Sequence, residues 1–209
     1  MEPTDTPPPE HPPVPAEAPA PEHPIRMVVT DDLHRTRLTV FFRVILSIPV
    51  IFWVALWGVV VLLAWIVAWF AAVFTAQVPD GVHRFMASWL RYRTHVYAYG
   101  LLIADPFPGF TGSSGYPIDL EIDPPERQSR LMVFFRIILA IPALLLANIL
   151  SQVSQLLAVF SWFVALVTAR VPEGIRNFAA FALRVETQTL GYVMLLTQRY
   201  PSFNVGIQA

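Results

Sequence analysis

From Val50 to Phe74 the chain reads VIFWVALWGVVVLLAWIVAWFAAVF, twenty-five residues of which only Gly58 is not apolar. No polar face interrupts the run, which is the pattern of a helix surrounded by lipid rather than one laid against a soluble core. At 1.5 Å per residue it extends about 37 Å, enough to cross a hydrocarbon core of about 30 Å once, with some tilt, and too short to cross it twice.

The rest of the pattern repeats. Shifting the chain by 93 residues lays His23 to Phe110 on Tyr116 to Phe203 without an insertion or deletion. Arg37-Leu38 falls on Arg130-Leu131, Phe41-Phe42-Arg43 on Phe134-Phe135-Arg136, and Pro49 on Pro142. Val78-Pro79-Asp80-Gly81 falls on Val171-Pro172-Glu173-Gly174, and Arg91 and Tyr99 on Arg184 and Tyr192. The chain is a tandem duplication, and repeats of this length point to a supersecondary unit used twice. The units are a Pro-rich tail at 1–24, a first membrane repeat at 25–110, a flexible joint at 111–115 and a second repeat at 116–205.

Each repeat opens on a short strand, Ile25 to Val29 and Ile118 to Ile122, the second alternating apolar and polar as a half-buried strand does. An arginine-bearing amphipathic helix follows, with Arg35, Arg37 and Arg43, or Arg127, Arg130 and Arg136, and it leads to Pro49 or Pro142. A proline there predicts a kink or an end, so an interfacial helix feeds a separate spanning one. The spanning helix runs to about Thr75 or Thr168. After a Pro-Asp-Gly or Pro-Glu-Gly turn, a return helix covers about Val82 to Ile103 and Ile175 to Leu196, with Asp80 and Glu173 capping its start.

Whether the return helix spans decides the topology. It carries Arg84, Arg91, Arg93 and His95, and an arginine at the bilayer centre costs about 2.5 to 3.5 kcal/mol on insertion scales, so lying at the interface is the alternative. If each repeat spans twice, one membrane side receives Arg26, Arg35, Arg37, Arg43, Arg127, Arg130, Arg136 and Arg199, and the other only Arg84, Arg170 and Arg176. If each spans once, the copies are inverted and the bias disappears. The asymmetry predicts two parallel-related hairpins, four spanning helices in an all-α membrane fold with a small cytoplasmic strand clip, and a pseudo-twofold axis along the membrane normal. By the positive-inside rule the tail, the joint and the C-terminus are expected in the cytoplasm.

Candidate chemistry is sparse. Arg84, Ser88, Arg91 and His95 share a helix face, and Arg184 and Gln188 continue that stripe in the second repeat. The second apolar helix adds Asn148, Ser151, Gln152 and Gln155 where the first has Ala55, Gly58, Val59 and Leu62. Arg91, Arg184, His95, Gln188, Gln152 and Gln155 therefore form a candidate intramembrane polar seam, to be weighed against ordinary helix packing and snorkelling. Arg37, Arg43, Arg130 and Arg136 are candidate contacts for anionic lipid headgroups. The histidines never fall at i, i+3 or i, i+4, so no local metal site is expected, and no phosphate loop, dinucleotide fingerprint or nucleophile elbow occurs. No cofactor, catalytic residue or nucleic-acid partner is expected.

Composition sharpens the picture in three places. Mean hydropathy of +0.53 with 14% charged residues is too apolar for an ordinary soluble domain of 209 residues. There is no cysteine, which removes disulfides and thiolate chemistry. All 14 basic residues are arginine and all lie beyond residue 25, whereas the first 24 residues hold ten prolines and five acids. That tail is expected to be disordered, to be retained rather than cleaved as a signal, and to be able to offer polyproline II to a partner.

The series His/Tyr-Pro-Ile, Pro-Glu-Arg, Phe-Phe-Arg, Ile-Pro, long apolar span, Val-Pro-x-Gly and Arg-Tyr-Pro-x-Phe resembles a bacterial membrane domain, the domain-of-unknown-function family 4389. The second repeat carries it as Tyr116-Pro117, Pro125-Glu126-Arg127 and Arg199-Tyr200-Pro201-Ser202-Phe203. The first departs at His23-Pro24, Asp32-Leu33-His34 and Pro106-Phe107-Pro108-Gly109-Phe110. The resemblance implies a tandem protein of the bacterial inner membrane and brings no activity or site with it. The strand opening each copy and a closing Tyr-Pro-x-Phe strand are expected to meet on one face. The expected role is a non-catalytic scaffold or accessory subunit packing against membrane lipids and another membrane protein; the alternative is a small transporter or lipid-handling protein using the polar seam.

Overall fold

β1 (Ile25–Val29) and β2 (Ile118–Ile122) pair antiparallel, with Ile25 opposite Ile122, Met27 opposite Leu120 and Val29 opposite Ile118. Met27 and Leu120 occupy the same place in the two repeats, so the register is symmetric about their midpoint. The computed structural model describes residues 23–203; the expected disorder and polyproline docking of the tail fall outside them, save for His23 and Pro24. Both strands run as the alternation predicts, turning Ile25, Met27, Ile118 and Leu120 inward and Arg26, Val28 and Glu121 outward.

Each strand leads to a long helix, α1 (Arg37–Thr75) and α3 (Arg130–Thr168), and then to a shorter one, α2 (Asp80–Gly100) and α4 (Glu173–Val193). The two prolines do not divide the long helices. Pro49 and Pro142 sit inside continuous helices of 39 residues each. A proline forfeits one backbone bond and crowds the carbonyl four residues back, a cost that flanking turns anchored elsewhere can absorb. Here Arg43 on one side and Val54 on the other are both fastened to α2. The closing Tyr-Pro-x-Phe segment forms no strand among the described residues.

The long helices end alike. Ala76 and Ala169 take the left-handed conformation and their N–H groups bond back to Ala72 and Ala165. Each then receives a backbone bond from the other repeat, Gln128 N–H to the Ala76 carbonyl at 2.8 Å and Arg35 N–H to the Ala169 carbonyl at 3.0 Å. The end of α1 therefore lies at the start of α3, and the reverse. Trp162 Nε1 donates to the Val40 carbonyl at 2.7 Å, and Trp69 packs on Phe134, so the two helices are antiparallel.

This corrects the expected topology. Among the described residues two helices, α1 and α3, are long and apolar enough to cross a membrane; four spans are not supported. α2 and α4 bury Leu90, Ala98, Ala179 and Leu183 in the core that the sheet shares. Antiparallel copies are related by an axis perpendicular to α1 and α3, not along them as side-by-side hairpins require. The arginine asymmetry consequently no longer assigns a membrane side. Asp80 and Glu173 open α2 and α4 but form no side-chain cap.

The axis can be traced through side chains. The Thr94 and Thr187 hydroxyls, equivalent positions, are 3.2 Å apart. Arg93 and Glu186, also equivalent positions, form an ion pair across the same line, with Arg93 stacked 4.0 Å from the Tyr97 ring. The joint is not the free linker its composition suggests. Gly112 has φ of +63° and approaches α2 so closely that a Cβ would stand 2.9 Å from that of Tyr92, leaving room for glycine alone.

Candidate functional site

The part of the α2 stripe that carries Arg91 and His95 faces the sheet. Arg91 and His95, four residues apart on α2, project onto β2. Arg91 donates to the Leu120 carbonyl from Nε at 2.9 Å and Nη2 at 2.8 Å, and its Nε lies 3.4 Å from Asp119 Oδ1. His95 Nε2 lies 3.2 Å from the same carboxylate oxygen, and its ring stacks on Tyr116 at 4.6 Å. In the second repeat Gln188 replaces the histidine, giving its Nε2–H to the Ile25 carbonyl at 3.0 Å and accepting from Ser202 N–H at 2.9 Å. Arg184 lies with its guanidinium 5.6 Å from the Phe181 ring. The structure brings three members of the expected seam, Arg91, His95 and Gln188, to the junction of α2 and α4 with the sheet.

Gln152 and Gln155 are not part of it. Both are exposed on α3, and Gln155 bonds only Ser151 on its own helix, at 3.4 Å. A seam shared with Arg184 and Gln188 requires α3 to turn its 152/155 face to α4, whereas the face turned inward carries Ala147, Ser154 and Ser161.

The four arginines expected at lipid headgroups divide equally. Arg37 and Arg130 are exposed at the first positions of the long helices, Arg37 donating to the Val167 carbonyl at 2.9 Å. Arg43 and Arg136 are buried, each 2% exposed, and cannot meet lipid. Arg136 Nη1 donates to the Tyr192 and Thr197 carbonyls, both at 2.8 Å, and its guanidinium lies 4.6 Å over the Tyr192 ring. Arg43 does the same with Tyr99 and Ala104, at 2.7 and 2.9 Å, and adds Asp105. The arginine of each Phe-Phe-Arg motif thus caps the carbonyl end of the shorter helix, where a cation also meets the favourable end of the helix dipole.

Sequence reasoning missed Arg35, Gln128, Arg93 and Glu186. Arg35 binds the Leu102 and Ile103 carbonyls and Asp31, while Gln128, at the same repeat position, binds the Leu195 carbonyl. The 93-residue shift did hold a signal for the axial pair, because Arg93 falling on Glu186 puts opposite charges at one repeat position.

The comparisons with known proteins agree with this duplicated architecture. The family model DUF4389, described as a domain of unknown function, matches residues 37–111 and again 130–204. The chain belongs to this family. Its two DUF4389 copies start at the first residues of α1 and α3, so β1 and β2 precede the matched segments. No curated protein and no solved structure matches the chain.

The chemistry open to the DUF4389 pair at the sheet junction is positional. Among the described residues no group of three His, Asp or Glu could hold a metal ion. Burial alone would raise the Asp119 carboxyl, but the Gly115 and Leu120 N–H groups, His95 and Arg91 together hold it below the usual carboxylate value. Burial lowers His95 from its ordinary 6.5, against the opposing pull of Asp119, and burial lowers His83 as well. A cleft of about 570 Å³ beside the junction is bounded by Asp80, His83, Arg84, Ser88, Arg91 and Asp123. In the second repeat Phe181 stands where Ser88 does.

Neutral histidines in the fold titrate below their unfolded counterparts, which gives the sign of a pH effect. Their contribution is complete above the unfolded value of 6.5 and is lost as pH falls through the lowered folded values. The thermal midpoint is expected to be flat above about pH 7 and to fall from about pH 6.5 downward. His95→Gln, the residue the second repeat already uses, should make that slope shallower, leaving the part due to His83. An unchanged slope in the variant would show that His95 takes up its proton without resistance from the fold.

Proposed function

We propose that the chain is a membrane protein without catalytic activity, a scaffold or accessory subunit of a membrane complex. The observation that carries this reading is the use made of its buried and half-buried cations and amides. Arg35, Arg43, Arg91, Arg136, Gln128 and Gln188 all bind backbone carbonyls at helix ends or strand edges, so the polar residues serve to hold elements in place. Meanwhile α1 and α3 expose a near-continuous apolar exterior, nineteen and eighteen large apolar side chains. An exterior of that extent in water is an interaction surface.

Transport or lipid handling along a polar seam is the competing reading, and it has less support once Gln152 and Gln155 face away from the rest. The test is native mass spectrometry of the full chain released gently from its own membrane. A stoichiometric protein partner is the expected result. A protein that leaves the membrane alone, or with itself, while retaining one specific lipid would replace the scaffold reading with lipid handling.

A further inference from the structure

The symmetry of the fold restricts how it can sit in a bilayer. The axis relating the repeats passes between Met27 and Leu120 of the sheet and between Thr94 and Thr187. It is perpendicular to the antiparallel α1 and α3, whose mutual contacts are balanced about their midpoints: Val40 meets Trp162, and Trp69 meets Phe134. The sheet therefore lies level with the middle of the long helices. A bilayer crossed along α1 and α3 would have the sheet at its midplane.

That location is forbidden to it. The outward side of the two-stranded sheet carries Arg26, which pairs with Glu121 at 3.4 Å and with Asp123 at 3.0 Å. A cluster of charged side chains on a lipid-facing surface does not sit at the bilayer midplane, where each charge costs about 2.5 to 3.5 kcal/mol on insertion scales. The long helices also overrun a crossing: 39 residues make about 58 Å against a hydrocarbon core of about 30 Å.

We infer that α1 and α3 lie along the membrane plane within one leaflet, with the pseudo-twofold axis along the membrane normal and the sheet in the aqueous phase. A helix about 10 Å across fits a leaflet whose acyl layer is about 15 Å deep, so every face of α1 and α3 that is not packed on the protein meets lipid. The layers of the fold follow the same order. Arg91 and His95 point from α2 toward the sheet, and Arg93, two residues from each, points away from it into the pair with Glu186. All four ends of the long helices connect to the sheet or to α2 and α4. Arg37 and Arg130, exposed at opposite ends of the helix pair, reach the headgroups of the same leaflet, where their charge complements anionic lipid.

This pose rests on the membrane reading and can fail separately from it. The chain has no cysteine, so single cysteines can be placed at Asp32, Gln77, Glu121, Phe41, Val59 and Phe74 in the full-length protein. Flotation with vesicles of phosphatidylethanolamine and phosphatidylglycerol comes first, and a protein that stays at the bottom of the gradient overturns both the membrane reading and the pose. In floated protein inserted from one side, an impermeant maleimide added outside should label Asp32→Cys, Gln77→Cys and Glu121→Cys together. A fluorophore at Phe41→Cys, Val59→Cys and Phe74→Cys should report one common depth by nitroxide-lipid quenching. Labelling of Asp32→Cys and Gln77→Cys from opposite sides, with Val59→Cys deepest, would establish a crossing and overturn the pose while leaving the membrane reading intact.

Discussion

Replacing Arg136 by leucine is expected to lower the thermal midpoint of the purified protein by about 10 °C, at roughly 2 to 4 °C per kcal/mol for a chain of this size. The side chain is 2% exposed, and its Nη1 is bonded to the carbonyls of Tyr192 and Thr197 at the end of α4. Bonds from a charged donor contribute about 1.5 to 3 kcal/mol each, and leucine leaves both acceptors buried without a donor, so the loss is about 3 to 5 kcal/mol. Arg136→Lys keeps the charge but not the planar group stacked on Tyr192, and should recover about half of that. Differential scanning fluorimetry in detergent measures both. A leucine variant melting within about 2 °C of the parent would mean that the end of α4 is satisfied by something other than this arginine.

The second large effect is expected at the symmetry axis. Arg93→Glu sets two carboxylates against each other at a site where the partner side chains are 10% and 16% exposed, and breaking such a pair costs about 3 to 5 kcal/mol. Because Arg93 and Glu186 are equivalent positions, the exchanged protein Arg93→Glu/Glu186→Arg restores the pair in mirror order. Recovery should fall short by about 1 kcal/mol, because the arginine at 186 faces Leu190 where Arg93 had the ring of Tyr97. Denaturant unfolding of the four proteins in the cycle isolates the coupling energy. A double variant no more stable than Arg93→Glu would sink the claim that charge pairing holds α2 to α4 here.

The axial pair also bears on how the two copies differ. A duplicated unit places each axial residue against its own copy, so a charge there repels itself until one copy changes sign, as Arg93 and Glu186 have. Away from the axis the copies differ in another way: Asp31 and Asp105 of the first copy, partners of Arg35 and Arg43, fall on Pro124 and Gln198. Gln128 at the position of Arg35 removes one charge with its counterion, whereas Arg136 keeps its charge and relies on carbonyls and the Tyr192 ring.

Much of the molecule was determined by the sequence alone. The 93-residue repeat, both strands to the residue and the order of an apolar helix followed by a return helix in each copy come from periodicity and turn residues, because these report the local backbone state. The expected break at Pro49 and Pro142 and the spanning of the return helices did not hold. What periodicity does not report is which distant group a side chain meets. Arg37 and Arg43 look alike in a basic amphipathic stretch, yet one is exposed and the other caps α2, since the stripe that turns inward is set by where α2 returns. The repeat does not fix how its copies are arranged either, because a shift in sequence is the same whether two units lie parallel or antiparallel. The backbone bonds exchanged between Ala76 and Gln128 and between Ala169 and Arg35 decide that, and with it the direction of the axis and the failure of a four-span bundle. Only tertiary structure could supply them, because they join residues more than fifty positions apart that carry no local pattern of their own.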